Sequence, residues 1–404
     1  MQKQTKNILG YLLKLIMILI IFLSLMIFPK QAFEASLRGL NAWWTIVFPA
    51  LLPFFIMSEV LVSIGIVQFI GVLLEPVMRP VFRLPGSGAF VLAVGFTSGA
   101  PISSIVTADL RRKNIISKNE AERLICFTNN ASPLFMFGAV AVGMFKSPEL
   151  GIIIALSHYL ANICIGLCLR FWVPRNHGMH YNSQNVGFKK AVKTLFASHT
   201  KTNKPLGKML GDAIRNSINN LTQIGGFIIL FSVVIELLTL FNVIGILSTS
   251  LTFIFKPLML DLQLAKGITS GFVEMTIGSK LIAESASPLN LKVAGISLIL
   301  GWSGLSIHAQ ALSMLSNTDI KFYPFIIARF CHGILAAAIT LVIFNPTVSV
   351  ISEYENLLNL EFSTLTLIVY SFGMFIFVLI TLLIISLLYS LIKKIRLNLH
   401  FLYR

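Results

Sequence analysis

The sequence predicts an all-α, polytopic membrane protein with about eight transmembrane helices and two re-entrant hairpins in an inverted repeat. Three observations predict it. Of the 404 residues, 56% are hydrophobic and only 12% are charged, against about 25% charged in a soluble domain. Uncharged apolar runs recur, among them Leu124–Phe145, Val293–Thr318 and Phe362–Ile392, and each reaches the roughly 20 residues that a helix needs to cross a bilayer. Two small-residue stretches, GFTSGAP at 95–101 and GFVEMTIGSK at 271–280, interrupt this pattern.

The net charge of +16 does not point to nucleic acid. The basic residues lie in short loops between apolar runs, as the positive-inside bias places them. The four cysteines (Cys126, Cys164, Cys168, Cys331) fall in or beside apolar runs. They lack partners at metal-ligand spacing and are read as small core residues.

Taken in order, residues 1–30 form an N-terminal transmembrane anchor. Lys3, Lys6 and Lys14 precede or enter the run Ile8–Phe28, which exceeds a signal-peptide core, and FPKQAFEAS makes a poor cleavage site. The expectation is a retained span with a cytoplasmic N-terminus. Residues 33–173 follow as the first repeat. Its long run Ile46–Leu74 is broken by Pro49 and Pro53. Arg79, Arg83 and the RRKN at 111–114 must then share one face, which makes 86–108 a re-entrant hairpin. Spans at about 122–145 and 149–173 complete this half.

Residues 174–212 are a basic cytoplasmic loop. The second repeat, 213–345, holds a span at 218–255, a hairpin at 267–285, and spans at 291–316 and 323–345. Residues 346–404 supply an acidic external loop (Glu353, Glu355, Glu361) and a last span, 364–392, returning to KKIR inside. This path places 25 of the 32 Lys and Arg residues on the cytoplasmic side, so both termini are expected there.

The halves correspond. Arg38 and Glu59 match Arg215 and Glu236 at an offset of 177, Gly95-Phe96 matches Gly271-Phe272 at 176, and LLEPVM matches IFKPLM at 181. Because the first half starts outside and the second inside, the repeat is inverted, as in many secondary transporters. Non-helical backbone at membrane depth survives only where protein or water satisfies it. Two hairpins entering from opposite faces therefore frame a central polar site whose helix ends offer dipoles to a solute.

Ionisable and amide groups inside apolar runs are the candidates for that site. They are Glu59, Ser98, Asn129, Asn130, Ser132, Glu274, Thr276, Ser303, His308 and Gln310. Such groups suit a small hydrogen-bonding solute better than a bare metal ion. The same residues have structural readings. Asn129, Asn130, Ser132 and Ser303 also fit interhelical hydrogen-bond glue, and Glu59 and Glu236 fit ion pairs with neighbouring arginines. His158, Asn162, Arg329 and His332 lie nearer span ends and are read as structural. The sequence has no phosphate loop, no H-E-x-x-H and no G-x-S-x-G. Neither an enzyme nor a cofactor is expected.

The stretches WWTIVFPALLPFF, LLEPVMRPVFRLPG and FTNNASPLFMFGAVAVG resemble the YlbJ family of sporulation integral membrane proteins, and the resemblance extends to about residue 345. It implies a nucleoside-recognition (gate) domain similar to that of concentrative nucleoside transporters, a nucleoside-like solute, a role in spore maturation in an endospore former, and compatibility with a homo-oligomer. The hairpin GFTSGAPISS has Ala100-Pro101 where many relatives carry Asn-Pro, which removes a polar side chain from the tip. Two functions are therefore expected as rivals. One is a permease for a small polar solute; the other is a non-transporting scaffold for spore envelope assembly on a transporter-like fold.

Overall fold

The computed structural model describes residues 2–64, 66–97, 99–133, 135–172, 205–256 and 260–344. All regular structure among them is helical. Helix α1 (Gln2–Ile27) bends by 104° into α2 (Pro29–Ala42). The cause is local, since Pro29 brings no N–H and its ring clashes with the preceding turn. A π-helical stretch, Trp43–Val47, leads into α3 (Phe48–Ile64), followed by α4 (Ile66–Phe82), α5 (Ser87–Thr97), α6 (Ala100–Arg112) and α7 (Lys118–Thr128). After a break comes a second π-helical segment, Phe135–Met144, and then α8 (Glu149–Leu169). The later part contains α9 (Leu206–Leu240), α10 (Val243–Ile254), α11 (Leu262–Val273), α12 (Met275–Glu284), α13 (Leu289–Trp302), α14 (Gly304–Leu315) and α15 (Tyr323–Ile343).

Among the described residues, four helical stretches are long and apolar enough to cross a membrane: α8, α9, the pair α13–α14, and α15. The bent pair α1–α2 makes a fifth if it is one span. Side chains are distributed as lipid demands. Phe253 is 82% exposed and Val342 84%, whereas Asn129, His158, Arg329 and His332 are fully buried. Apolar groups face outward and polar groups face inward, where other helices can satisfy them. Cys126 is buried, but Cys164, Cys168 and Cys331 are exposed, which corrects their reading as core residues.

Several expected single spans are divided. Residues 46–74 form two helices, α3 and α4. Residues 218–255 split at Asn242, whose left-handed backbone (φ 58°) ends α9 before α10. The turns from Leu206 to Asp212, expected in the loop, already belong to α9. Residues 173–204, the end of IFKPLM and the C-terminal segment 345–404, with its acidic loop and last span, lie outside the described residues.

The two hairpins are present as helix pairs. Helices α5, α6, α11 and α12 have 11, 13, 12 and 10 residues. At 1.5 Å per residue each reaches at most about 20 Å, short of the roughly 30 Å hydrocarbon core. In the second pair Gly267 packs against Ile282 and Gly271 against Gly278, so α11 and α12 run antiparallel. In the first, Gly88 meets Leu124 and Gly95 meets Thr128, so α5 follows the direction of α7. Helix α6 opposes α7, since Ser103 reaches Asn129 and only residues 113–117 connect the two. Helices α5 and α6 therefore also double back.

Close packing fastens α2 along α9. The Arg38 guanidinium pairs with the Glu236 carboxylate, Ser232 Oγ donates to the Ala35 carbonyl at 2.7 Å, and Trp43 Nε1 donates to the Leu221 carbonyl at 3.0 Å. At the end of the molecule where α6 finishes, Arg111 grips Asp319 with two bonds, Nε to Oδ1 at 2.9 Å and Nη2 to Oδ2 at 3.1 Å. This pair holds the Asp319 carboxyl below its ordinary value. A depressed carboxyl stabilises the fold above its unfolded pKa, about 3.9, and loses that contribution as pH falls through the folded value. Melting temperatures measured from pH 6 to 3 are therefore expected to lose a small acid-sensitive component in Asp319→Asn. An identical acid limb in parent and variant would refute it.

Candidate functional site: two broken helices at two hairpin tips

The first break follows α7. Ser117 and Glu120 start that helix with a reciprocal capping box. It stops at Thr128 because Pro133 cannot continue it, having no N–H and a ring that clashes with the turn before. Residues 129–132 are thus left outside the helix. The hairpin tip at Gly99 (φ +90°) fits against this gap, where a Cβ would stand 3.3 Å from Ser132 Cβ. Ser103 Oγ contacts Asn129 Oδ1 at 3.4 Å.

The second break lies between α13 and α14. Ser303 (φ 75°) and Gly304 (φ +73°) adopt consecutive left-handed conformations, which side chains other than glycine and asparagine seldom visit. The tip of the second hairpin abuts it, because a Cβ on Gly304 would lie 3.0 Å from the Met275 nitrogen. Glu274 sits at that tip, 2% exposed, and its Oε2 accepts the Ile277 N–H at 2.8 Å, capping α12. The matching glycine-phenylalanine pairs have matching roles. The Phe96 carbonyl accepts from Tyr159 Oη at 3.0 Å, and the Phe272 carbonyl accepts from Trp302 Nε1 at 2.9 Å.

Helices α8 and α15 stitch the breaks together. The Ala131 N–H donates to His158 Nε2 at 3.2 Å, and His332 Nε2 bonds to the His158 carbonyl at 2.8 Å. Arg329 Nη2 donates to Ser303 Oγ at 3.1 Å, one turn away on the same helix as His332. A nitrogen that accepts carries no proton, so neutral His158 is protonated at Nδ1, whereas His332 is protonated at Nε2. Both Nδ1 atoms are buried without a partner, as are Arg329 Nε and Nη1, Asn129 Nδ2, Asn130 Oδ1, His308 Nε2 and Gln310 Oε1. Unpaired buried polar atoms each cost about 1–3 kcal/mol, and here they are concentrated around the two breaks.

Of the residues expected from sequence, Asn129, Asn130, Ser132, Glu274, Thr276, Ser303, His308 and Gln310 are all buried at or beside the two breaks. His308 Nδ1 bonds to the Gly304 carbonyl at 2.7 Å and its ring lies against Trp302. Gln310 Nε2 donates to Ser306 Oγ at 3.3 Å. Glu59 stands apart on α3, half-buried, accepting from Asn216 of α9 at 3.4 Å. Ser98 lies outside the described residues. His158, Arg329 and His332, read from sequence as structural residues near span ends, are instead at the centre of the polar network. The signal was present, because an arginine and a histidine three residues apart inside the apolar run 323–343 are costly in a membrane. No cluster of His, Cys, Asp and Glu among the described residues is arranged to hold a metal ion.

Paired hairpins against broken helices, in a helical membrane protein with a polar interior, define a gate-type integral membrane protein. In accord with this, residues 44–148 match the Gate family, described as nucleoside recognition. The chain is 47% identical over 325 residues to the sporulation integral membrane protein YlbJ of Bacillus subtilis (strain 168), covering 79% of each. It belongs to the YlbJ family of sporulation integral membrane proteins.

Proposed function

We propose that the protein is a secondary transporter or permease that carries a small polar solute across a membrane during spore formation. The observation that carries this reading is the joining of two helix breaks by buried, unpartnered donors and acceptors. Four of these atoms are donors (His158 Nδ1, Arg329 Nε and Nη1, Asn129 Nδ2) and four are acceptors (His332 Nδ1, His308 Nε2, Asn130 Oδ1, Gln310 Oε1), which favours a solute that both donates and accepts hydrogen bonds. Asn129, Asn130 and Ser132 would hold it from one side and Glu274, Thr276, Ser303, His308 and Gln310 from the other. No enzymatic role is proposed.

An inverted repeat of eight spans supports alternating access, and pairwise correspondences speak for it. Arg38 pairs with Glu236, and the equivalent Glu59 is bonded by Asn216, next to Arg215. Gly99 and Glu274 mark equivalent tips, and Asn129 and Ser303 equivalent breaks. The basic end formed by Arg79, Arg83, Arg111, Arg112, Lys113 and Arg170 would face the cytoplasm.

The test is a thermal-stability screen of the purified protein against nucleosides, nucleobases, amino acids and dicarboxylates, at two pH values and two sodium concentrations. A ligand at 100 times its Kd should stabilise the fold by about 2.7 kcal/mol. The shift is expected to vanish in Glu274→Gln, which keeps a carbonyl able to cap Ile277, and in His308→Ala. A folded protein that responds to no compound would favour the scaffold function instead.

A further inference from the structure

At the basic end a pocket opens between α7, α8 and α15. It is lined by Asn119, Glu122, Arg123 and Cys126 of α7, Leu169 of α8 and Pro324 of α15. Beyond the end of α7 comes Asn130, and further along α8 and α15 come Asn162 and His158, Arg329 and His332. Seven buried polar atoms on this line have no partner: Arg123 Nε, Asn130 Oδ1, His158 Nδ1, Asn162 Oδ1, Arg329 Nε and Nη1, and His332 Nδ1. The pocket thus lies at the outer end of a column of buried polar side chains, two of which, His158 and Arg329, bond to residues of the two helix breaks.

A clasp stands over this mouth. Residues 316–322, between α14 and α15, are tied down twice. Arg111 holds Asp319 by two bonds, and its Nη1 is itself anchored to Asn114 Oδ1 and the Ile116 carbonyl. Two residues on, the Lys321 N–H donates to Glu122 Oε1 at 3.0 Å. Glu122 also lines the pocket and lies 4.0 Å from Lys118 Nζ. Exposed ion pairs are individually weak, which suits a contact that must open in every cycle. Releasing it frees the start of α15, and with it Pro324, from α7.

We infer that the column between α7, α8 and α15 is the solute's route from the basic end, and that the Arg111–Asp319 and Glu122–Lys321 clasp is the gate over its mouth. The inference rests on the transport reading and adds the path and the residues that close it.

Cys126, buried at the inner end of the pocket, reports on the gate. The full chain with Cys164, Cys168 and Cys331 replaced by serine is exposed, in inside-out membrane vesicles, to a membrane-impermeant maleimide. Labelling of Cys126 is expected to be slow in this parent and about fivefold faster in Asp319→Asn and in Glu122→Ala, the effect of losing one weak contact. The charge swap Arg111→Asp with Asp319→Arg is expected to restore protection. Equal labelling in parent and both variants, with unchanged melting temperatures and full labelling in denaturant, overturns the inference. If solutes shift the melting temperature but Cys126 stays protected in both variants, the route is wrong and transport stands. If labelling rises in both and no solute binds, the opening is supported and the transport reading alone fails.

Discussion

Arg329→Met is expected to leave the folded protein at least as stable as the parent while abolishing its part in spore formation. Arg329 is fully buried, and no carboxylate lies within ion-pair distance of it among the described residues. Two of its nitrogens have no partner. Among the described residues it donates to Ser303 Oγ at 3.1 Å and, at 3.5 Å, to the Leu300 carbonyl. Keeping an uncompensated charge from water is costly, and replacing buried ionic groups by apolar side chains of similar volume is often neutral or stabilising by about 1–4 kcal/mol. A purely structural arginine would behave in the opposite way, its loss costing the hydrogen bond to Ser303 Oγ, about 1.5–3 kcal/mol for a charged donor. Thermal unfolding in detergent, alongside counts of heat-resistant spores in a complemented deletion strain, separates the two. Stable protein with few spores supports a solute-facing arginine, and unstable protein with few spores refutes it.

The second large effect concerns the hairpins. Gly278→Ala is expected to destabilise the protein by about 3 kcal/mol, the upper part of the usual range for overpacking. A Cβ at this position would lie 2.2 Å from the Cα of Gly271 on the opposing helix, and backbone cannot swing aside as a side chain can. Helices α11 and α12 would have to part, moving Glu274 from the second break. Gly95→Ala should act similarly on the first hairpin, its Cβ falling 1.9 Å from the Thr128 carbonyl oxygen. Gly226→Ala is the control. Nothing approaches within 4 Å of a Cβ there, and alanine should be neutral or stabilise α9 by about 0.5–1 kcal/mol. Unfolding curves for the three variants test the contrast, and equal stability for Gly278→Ala and Gly226→Ala would refute the tight-hairpin account.

Much of the architecture was legible because lipid imposes simple rules. Runs of apolar residues announced the helices, and GFVEMTIGSK announced a doubled-back pair that the structure places at 262–284. FTNNASP and GWSGLSIHAQ were read as parts of continuous spans at about 122–145 and 291–316, and the breaks found there, beside Pro133 and at the left-handed Ser303-Gly304, were local signals left unread. The missed parts are equally instructive. The bend at Pro29 was a local signal left unread, whereas the lodging of α2 along α9 depends on a partner more than 190 residues away. Glu59 looked like a site residue because it is the one acid in its run, but α9 supplies Asn216 to satisfy it. His158, His332 and Arg329 looked peripheral when measured along their own helices. Depth in the membrane is set by how helices are staggered against one another, and a single helix does not carry that information.

The sequence by itself determined that this is a helical membrane protein, where its apolar stretches lie, and which polar residues must be accounted for inside it. Those properties follow from the cost of exposing backbone and charge to hydrocarbon, which each segment meets alone. Only the tertiary structure decided that the two breaks share one polar network, that α8 and α15 join them through His158, His332 and Arg329, and that Arg111 and Glu122 fasten the loop above. These are contacts between segments distant in sequence, chosen by packing, and packing is a property of the assembled helices.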